Sequence, residues 1–201
     1  MKTLFITILF LAGTYTAGSQ TIGVQAGIRL NTSAIRYAGV DISRKAGFEG
    51  GLSYQHPIGL PGLNFRAAIL YFNQEFSLEN DMGNNTGITY HFMEDNLKLP
   101  LIVEWTPFPA QIKPFVQAGL YTSYAISGNI KDSDSRNSII YEKAGHRLDY
   151  GIVIGAGVYL TRQIILDVRY EHGFAGRNLM LGDQTVYVCN KGYSASLCYL
   201  F

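Results

Sequence analysis

Apolar and polar residues alternate along most of this chain with a period of two. In the segment TIGVQAGIRL, which begins at Thr21, every second residue from Ile22 to Leu30 is apolar, whereas Gln25 and Arg29 lie in the opposite register. This is the period of a β-strand, because successive side chains point to opposite faces. The alternation recurs around residues 48–54, 65–71, 97–105, 116–124, 148–158, 164–170 and 193–201. The pattern therefore predicts eight strands.

The connections between the predicted strands alternate in length. Short connections lie at residues 56–62, 106–113 and 161–163, and long polar ones lie at residues 31–44, 76–88, 128–146 and 173–186. In an up-and-down arrangement of antiparallel strands, successive connections lie at opposite ends. We therefore expect short turns at one end and long loops at the other.

Two predicted strands depart from simple alternation. Leu70 and Phe72 place apolar side chains on the otherwise polar face of the third strand. Pro100 lies inside the fourth strand and has no backbone N–H to donate to a neighbouring strand. We therefore expect a β-bulge at Pro100.

The chemistry of the two faces indicates which one is inside. The apolar face of the eight predicted strands carries no charge. A soluble lipocalin-like barrel would turn that face inward and carry many Lys and Glu outside. A lipid-facing strand excludes charge, because Arg or Lys at the bilayer midplane costs roughly 2 to 4 kcal/mol. The pattern favours an all-β fold, an eight-stranded antiparallel up-and-down transmembrane β-barrel.

In such a barrel the polar face lines the lumen. Its charges come in both signs and are predicted to neutralise one another as a lumen network: Arg29, Glu49, Arg66, Lys98, Glu104, Asp149, Asp167, Arg169 and Glu171. Eight strands leave an interior just wide enough for side chains to fill, so we expect no open pore. Aromatic residues near strand ends on the apolar face, such as Tyr54, Trp105 and Tyr170, fit the interfacial girdles of a membrane barrel.

Composition agrees with this interpretation and excludes two other classes of protein. The 201 residues are 47% hydrophobic and only 15% charged, against about 25% charged in a soluble domain. The presence of 14 Tyr and 11 Phe argues against intrinsic disorder. A formal net charge of +1 supplies no net attraction for phosphates, so we expect no nucleic-acid partner.

Residues 1–19 have the pattern of a cleaved signal peptide. Lys2 supplies the positive charge, Leu4 to Ala12 form an apolar core, and Ala17 and Ser19 are the small residues before the cleavage site. The apolar core is shorter than the roughly 20 residues that a spanning helix needs. We therefore expect an exported chain without a transmembrane helix, whose single barrel domain comprises residues 20–201.

The two cysteines, Cys189 and Cys198, are predicted to lie on one strand. Their separation along an extended strand is about 30 Å, which is too far for a disulfide. Without suitably spaced histidines they form no zinc motif. We expect two unpaired thiols.

Several segments resemble a known family. The last nine residues, YSASLCYLF, with Tyr199 and the terminal Phe201, look like the C-terminal signal that the outer-membrane assembly machinery reads. Upstream, IGVQAGIRL, AGFEGGLSY, LKLPLIVEW, KPFVQAGLYTSY, YGIVIGAGV and LDVRYEHG, in this order, resemble the PorT-type (porin-family) outer-membrane β-barrels common in Bacteroidetes. The resemblance implies an eight-stranded barrel with periplasmic termini. For the best-known member it implies a role in assembling a protein secretion system.

Small barrels of this size also include lipid A deacylases and acyltransferases, which need a base beside a nucleophile. The candidate bases are His56, His91, His146 and His172. His56 is predicted in a short turn and His172 in the lipid-facing register, and no spacing pairs His91 or His146 with Ser138 or Glu142. We therefore expect no catalytic residue, no cofactor and no metal site.

Three hypotheses for function follow from the sequence. The first is a non-enzymatic outer-membrane barrel with a structural or surface-interaction role and no open pore. The second is an accessory component of a PorT-type secretion system, and the third is a lipid A-modifying enzyme. The expected partners are outer-membrane lipid, the assembly machinery, and proteins that bind the long loops or the periplasmic turns.

Overall fold

Eight long antiparallel strands dominate the structure, a computed structural model that describes residues 21–31, 34–35, 40–44, 46–80, 88–108, 112–131, 136–138, 147–175, 177–181 and 184–201. The predicted signal peptide, Glu142 and His146 lie outside these residues. The strands are β1 (Thr21–Asn31), β2 (Ala46–Pro57), β3 (Leu63–Asn80), β4 (Ile88–Trp105), β5 (Lys113–Lys131), β6 (Leu148–Tyr159), β7 (Ile164–Gly173) and β8 (Lys191–Leu200). Among the described residues, no helix is long and apolar enough to cross a membrane.

The sheet closes on itself. Each strand pairs with its sequence neighbours, and β8 pairs with β1 from Gly23 opposite Leu200 to Asn31 opposite Gly192. Closure leaves no free edge among these strands. The prediction of an all-β, eight-stranded, antiparallel up-and-down barrel is confirmed.

The two ends of the barrel are built differently. One end, here called the turn end, carries the connections 58–62, 106–112 and 160–163, the start of β1 and the chain terminus at Phe201. The prediction of short turns is confirmed, but His56 belongs to β2, where it lies opposite Phe65. The alternating pattern of β2 runs on to Pro57, so backbone pairing carries the strand into the predicted turn.

The opposite end, here called the loop end, contains more strand than predicted. β3, β4 and β5 are 18, 18 and 19 residues long and continue into the predicted loops 76–88 and 128–146. Short strands extend this wall, since Val40–Arg44 pairs with β3 and Arg136–Ser138 pairs with β5. A separate three-stranded sheet joins Arg177–Leu181, Gln184–Cys189 and Ala34–Ile35. These segments lie largely within the connections that the sequence predicts as long loops.

The predicted bulge at Pro100 is wrong. Between β3 and β4 the pairing is interrupted beside Pro100 but resumes in the same register, with Ala67 opposite Leu101 and Leu70 opposite Lys98. The loss of one N–H donor weakens the pairing without inserting a residue. The register shift lies instead between β4 and β5, at Asp95 and Asn96.

The prediction that Cys189 and Cys198 lie on one strand is wrong. Cys189 ends the short strand Gln184–Cys189, and Asn190 separates it from β8. The backbone carbonyl of Asn190 accepts a hydrogen bond from the N–H of Gly173 at 2.7 Å, which extends the pairing of β7 with β8 by one residue. Cys198 is a free, buried thiol that faces the lumen, with its Sγ 3.2 Å from the hydroxyl of Ser53.

The outward face is apolar over the length that a membrane would cover. Large apolar side chains such as Leu120 on β5 and Ile28 on β1 are 62% and 60% exposed. Toward the loop end this face becomes polar, where Asp95 accepts hydrogen bonds from the hydroxyls of Tyr71 at 2.6 Å and Ser127 at 2.7 Å. The exposed apolar belt requires a nonaqueous surrounding, and the polar positions mark its edge.

Phe201 completes the outward register of β8 and generates a prediction. Its N–H donates to the carbonyl of Ile22 at 2.8 Å, and its ring packs at 5.5 Å against that of Tyr199. Deleting Phe201 should lower the amount of folded barrel in outer-membrane fractions if, as the sequence resemblance implies, the assembly machinery reads this aromatic residue. Heat-modifiable migration on gels measures the folded fraction. Phe108→Ala, which removes another exposed phenylalanine at the turn end, should leave the yield unchanged. Equal yields of the deletion variant and the wild type would contradict this role.

Candidate functional site

Three charges on β7 form a spine through the lumen. Asp167, Arg169 and Glu171 alternate with outward-facing residues, so all three point inward, and they are at most 3% exposed. The neighbouring strands leave room for them. A Cβ at Gly155 on β6 would lie 3.1 Å from Cγ of Arg169, and one at Gly157 would lie 2.4 Å from the ring of Phe115. Glycine on this face therefore relieves crowding beside the long side chains.

Ion pairs link this spine to β3 and β4 in the half of the lumen nearer the turn end. Arg66 Nη2 lies 2.8 Å from Asp167 Oδ2, across the barrel, and Arg66 Nε lies 2.8 Å from Glu104 Oε1. Asp167 Oδ1 lies 3.1 Å from Arg169 Nε. Arg66 thus bridges two acids on different strands.

The pairing continues toward the loop end. Arg169 pairs with Glu49 on β2, and Lys98 Nζ lies 3.0 Å from Glu49 and 2.7 Å from Glu171. Arg29 on β1 pairs with the other oxygen of Glu171. The result is one alternating chain, here called the ion-pair chain: Glu104, Arg66, Asp167, Arg169, Glu49, Lys98, Glu171 and Arg29. Its four acids and four bases balance.

Asp149 is the one predicted lumen charge that the structure places outside the ion-pair chain. It faces the lumen from β6, fully buried, and accepts a hydrogen bond from the hydroxyl of Tyr121 at 3.1 Å. The ion-pair chain thus joins eight of the nine predicted lumen charges.

Neutral side chains add further contacts to the charges. Ser196 donates to Asp167 at 2.8 Å, Arg66 donates to Gln117 at 2.7 Å, and the hydroxyl of Tyr159 donates to Glu104 at 2.6 Å. Sequence reasoning missed Tyr121 and Tyr159 as lumen residues. Their odd-numbered positions, in register with Gln117 and Asp149, are the signal that identifies them.

Phe72, which interrupts the polar register of β3, has a specific place in the lumen. Its ring is fully buried, 4.7 Å from the guanidinium carbon of Arg29 and 5.1 Å from Nζ of Lys98. A ring face attracts cations at this distance. Phe72 therefore contacts two bases of the ion-pair chain rather than breaking the pattern.

Apolar residues fill the lumen near the turn end. Phe115, Ile165, Cys198 and Leu200 form a buried cluster against which the ring of Tyr159 packs, 5.1 Å from that of Phe115. Above this cluster, Arg29, Arg66, Lys98 and Arg169 are at most 2% exposed. A water-filled channel would leave such side chains accessible to solvent. The described lumen is packed with side chains.

The structure places the candidate catalytic residues on the outside or leaves them undescribed. His56 lies on the outward register, where its ring stacks on that of Tyr54 at 6.5 Å. His172 also faces outward, next to Tyr170. The side chains of His91 and Ser138 lie outside the described parts. Within the residues that the structure describes, no group of three His, Cys, Asp or Glu side chains could hold a metal ion.

Comparisons with known proteins agree with this architecture. Residues 16–176 match the family model described as outer membrane protein beta-barrel domain, and β8 lies beyond the matched residues. No curated protein matches the chain. Among solved structures, the chain is similar to Neisserial surface protein A, with a TM-score of 0.51 and 15% identity over 92% of this chain and 100% of that one.

A second similar structure is the outer membrane protein OprG from Pseudomonas aeruginosa. The TM-score is 0.53 and the identity is 10%, over 91% of this chain and 96% of that one. At such identities the likeness shows the fold alone. Together with the family match, it places the barrel in the outer membrane, as predicted.

The ion-pair chain generates a prediction about stability. Arg66→Ala leaves Glu104 and Asp167 without their shared partner, and Asp167→Ala removes one of the two acids that contact Arg169. Each should lower the free energy of unfolding by about 3 to 5 kcal/mol, because the balance of four acids and four bases is lost and one charge remains in excess in a dry site. Urea unfolding in lipid vesicles measures the change. Arg162→Ala, at an exposed turn position, should change it by less than about 0.5 kcal/mol. Small effects of both lumen variants would indicate solvated charges.

Proposed function

The chain belongs to the outer membrane protein beta-barrel domain family, and we propose that it acts as a closed, non-enzymatic barrel with a structural or surface-interaction role. The ion-pair chain is the observation that carries the proposal. It occupies the centre of the lumen with buried charges that each contact an opposite charge, which argues against an ion path along it. A pore requires mobile water beside its charges, and the burial of these bases argues against that.

The loop end supports a role in interaction. The walls of β3, β4 and β5 continue beyond Tyr71 and Asp95, where the outward face turns polar, and short strands pair with them there. On the other side, segments of the first and last long connections share a three-stranded sheet. Strand pairing gives these connections a defined backbone shape, which lowers the entropy that binding must overcome. Such a surface suits a protein or glycan partner.

An accessory role in protein secretion is the second candidate. It rests on the resemblance of segments such as LKLPLIVEW and KPFVQAGLYTSY to PorT-type barrels. These segments form parts of β4 and β5 and contribute both outward and lumen residues. They therefore carry the barrel architecture, and a secretion role would depend on the loops or the periplasmic turns. A lipid A-modifying activity is a third candidate, which lipid A mass spectra from a deletion strain would test.

The proposed closure predicts the electrical behaviour of the purified protein. In a planar bilayer, wild type should give no steady porin-like conductance, because the lumen side chains are packed and paired. A 16-stranded porin under the same conditions is the positive control. Reproducible nanosiemens steps from the wild-type barrel would favour a transport function instead.

The proposed interaction role predicts a separable loop function. Replacing residues 132–146 by a short turn should preserve folding, because the strands that form the barrel are left intact. It should alter the set of proteins recovered by pull-down from detergent-solubilised outer membranes. Shortening the turn-end connection 106–112 is the matched control, and it tests whether the opposite end of the barrel binds the recovered proteins. If neither replacement changes the recovered proteins or the level of exported proteins, the interaction and secretion roles both fail.

A further inference from the structure

A cation and a row of ring side chains lie together on the outward face at the loop end of β7 and β8. Lys191 lies opposite His172 in the strand register, and Tyr193 lies opposite Tyr170. The rings of Tyr170 and Tyr193 are 5.0 Å apart, and Phe174 continues the row at 5.7 Å from His172. We call these five residues the rim patch.

The rim patch stands directly above an apolar groove on the same strands. Going down the register from Tyr193, Ala195 lies opposite Val168 and Leu197 opposite Leu166. The small side chains of Ala195 on β8 and Ala26 on β1 help to form a groove of about 510 Å³ on the outer surface. The order from the loop end is therefore a cation, then aromatic rings, then an apolar groove. A membrane lipid has the same order of headgroup, interface and acyl chain.

Lys191 supplies the positive charge of the rim patch. It lies on the outward register of β8, two residues from Tyr193 and opposite His172 on β7. Within the described parts of the chain no acid pairs with Lys191. An anionic headgroup would therefore be attracted to this lysine at the rim of β7 and β8.

We propose that the rim patch and the groove below it form a specific binding site for a phosphorylated glycolipid of the outer leaflet, lipid A. Lys191 binds a phosphate as a point charge, at the depth where aromatic rings lie at the membrane interface. One acyl chain lies in the groove between Ile28 and Leu166. The site is on the outside of the barrel and is independent of the closed lumen and of the loop surface proposed above.

The test is native mass spectrometry of the full mature barrel in detergent, with monophosphoryl lipid A as the probe. Wild type should retain this lipid more strongly than dephosphorylated lipid A. Lys191→Gln should weaken retention about fivefold, which corresponds to the ~1 kcal/mol that one lysine contributes near a charged membrane surface. Lys191→Arg, which keeps the charge, should restore most of the binding. Heat-modifiable migration verifies that each variant is folded.

The matched control is Lys113→Gln, which removes a lysine at the turn end and should leave retention unchanged. Three results would each overturn the proposal: equal retention of the phosphorylated and dephosphorylated lipids, equal retention of phosphatidylglycerol, or equal loss in Lys191→Gln and Lys113→Gln. The comparison of the two lipid A forms on wild type needs no variant, so a folding defect cannot obscure the answer.

Discussion

Charges enclosed in a narrow barrel must be paired with one another, because there is little water to solvate them. Removing an ion from water costs several kcal/mol even after relaxation. Here Arg169 at the centre contacts both Asp167 and Glu49, and Lys98 contacts both Glu49 and Glu171. Each charge inside the chain therefore has a partner on either side.

This pairing also explains the composition of the barrel wall. The spine of β7 reaches across the lumen to β1, β2, β3 and β4, so long side chains come from five strands. The strands next to β7 carry small residues on the same face, such as Gly155 on β6 and Ser196 on β8. Large residues at these positions would collide with the guanidinium groups. The outward face must instead be uncharged and its backbone groups must be paired, because lipid tolerates neither a charge nor an unpaired backbone group.

The alternation in the sequence was sufficient to predict the eight strands, the faces of their residues and the nine lumen charges. It could not predict which charges pair, because partners such as Arg66 and Asp167 lie on opposite walls, at heights that depend on strand tilt and stagger. The extension of β3 and β5 into the predicted loops was missed for another reason. Beyond the lipid, strand pairing no longer requires an apolar outward face, and in residues 76–80 the apolar positions, Phe76 and Leu78, fall in the register opposite to that of Tyr71.

The error at Pro100 shows a similar limit. A proline in the sequence indicates a missing hydrogen-bond donor, but a bulge needs an extra residue in one strand. The extra residue is Ile126 in β5, which has no partner in β4. The contact of Asp149 with Tyr121 was also beyond the sequence, because it depends on the register between β5 and β6.

The central claim is that the ion-pair chain couples opposite walls of the barrel. The most direct measurement is a double-mutant cycle with Glu49→Gln, Arg169→Gln and the double variant, each unfolded by urea in lipid vesicles. These residues lie on β2 and β7 and form an ion pair across the lumen. The account predicts a coupling energy above about 1 kcal/mol, as for residues within one salt-bridge network. Effects that add to within about 0.5 kcal/mol would show that the two walls are energetically independent and would contradict the account.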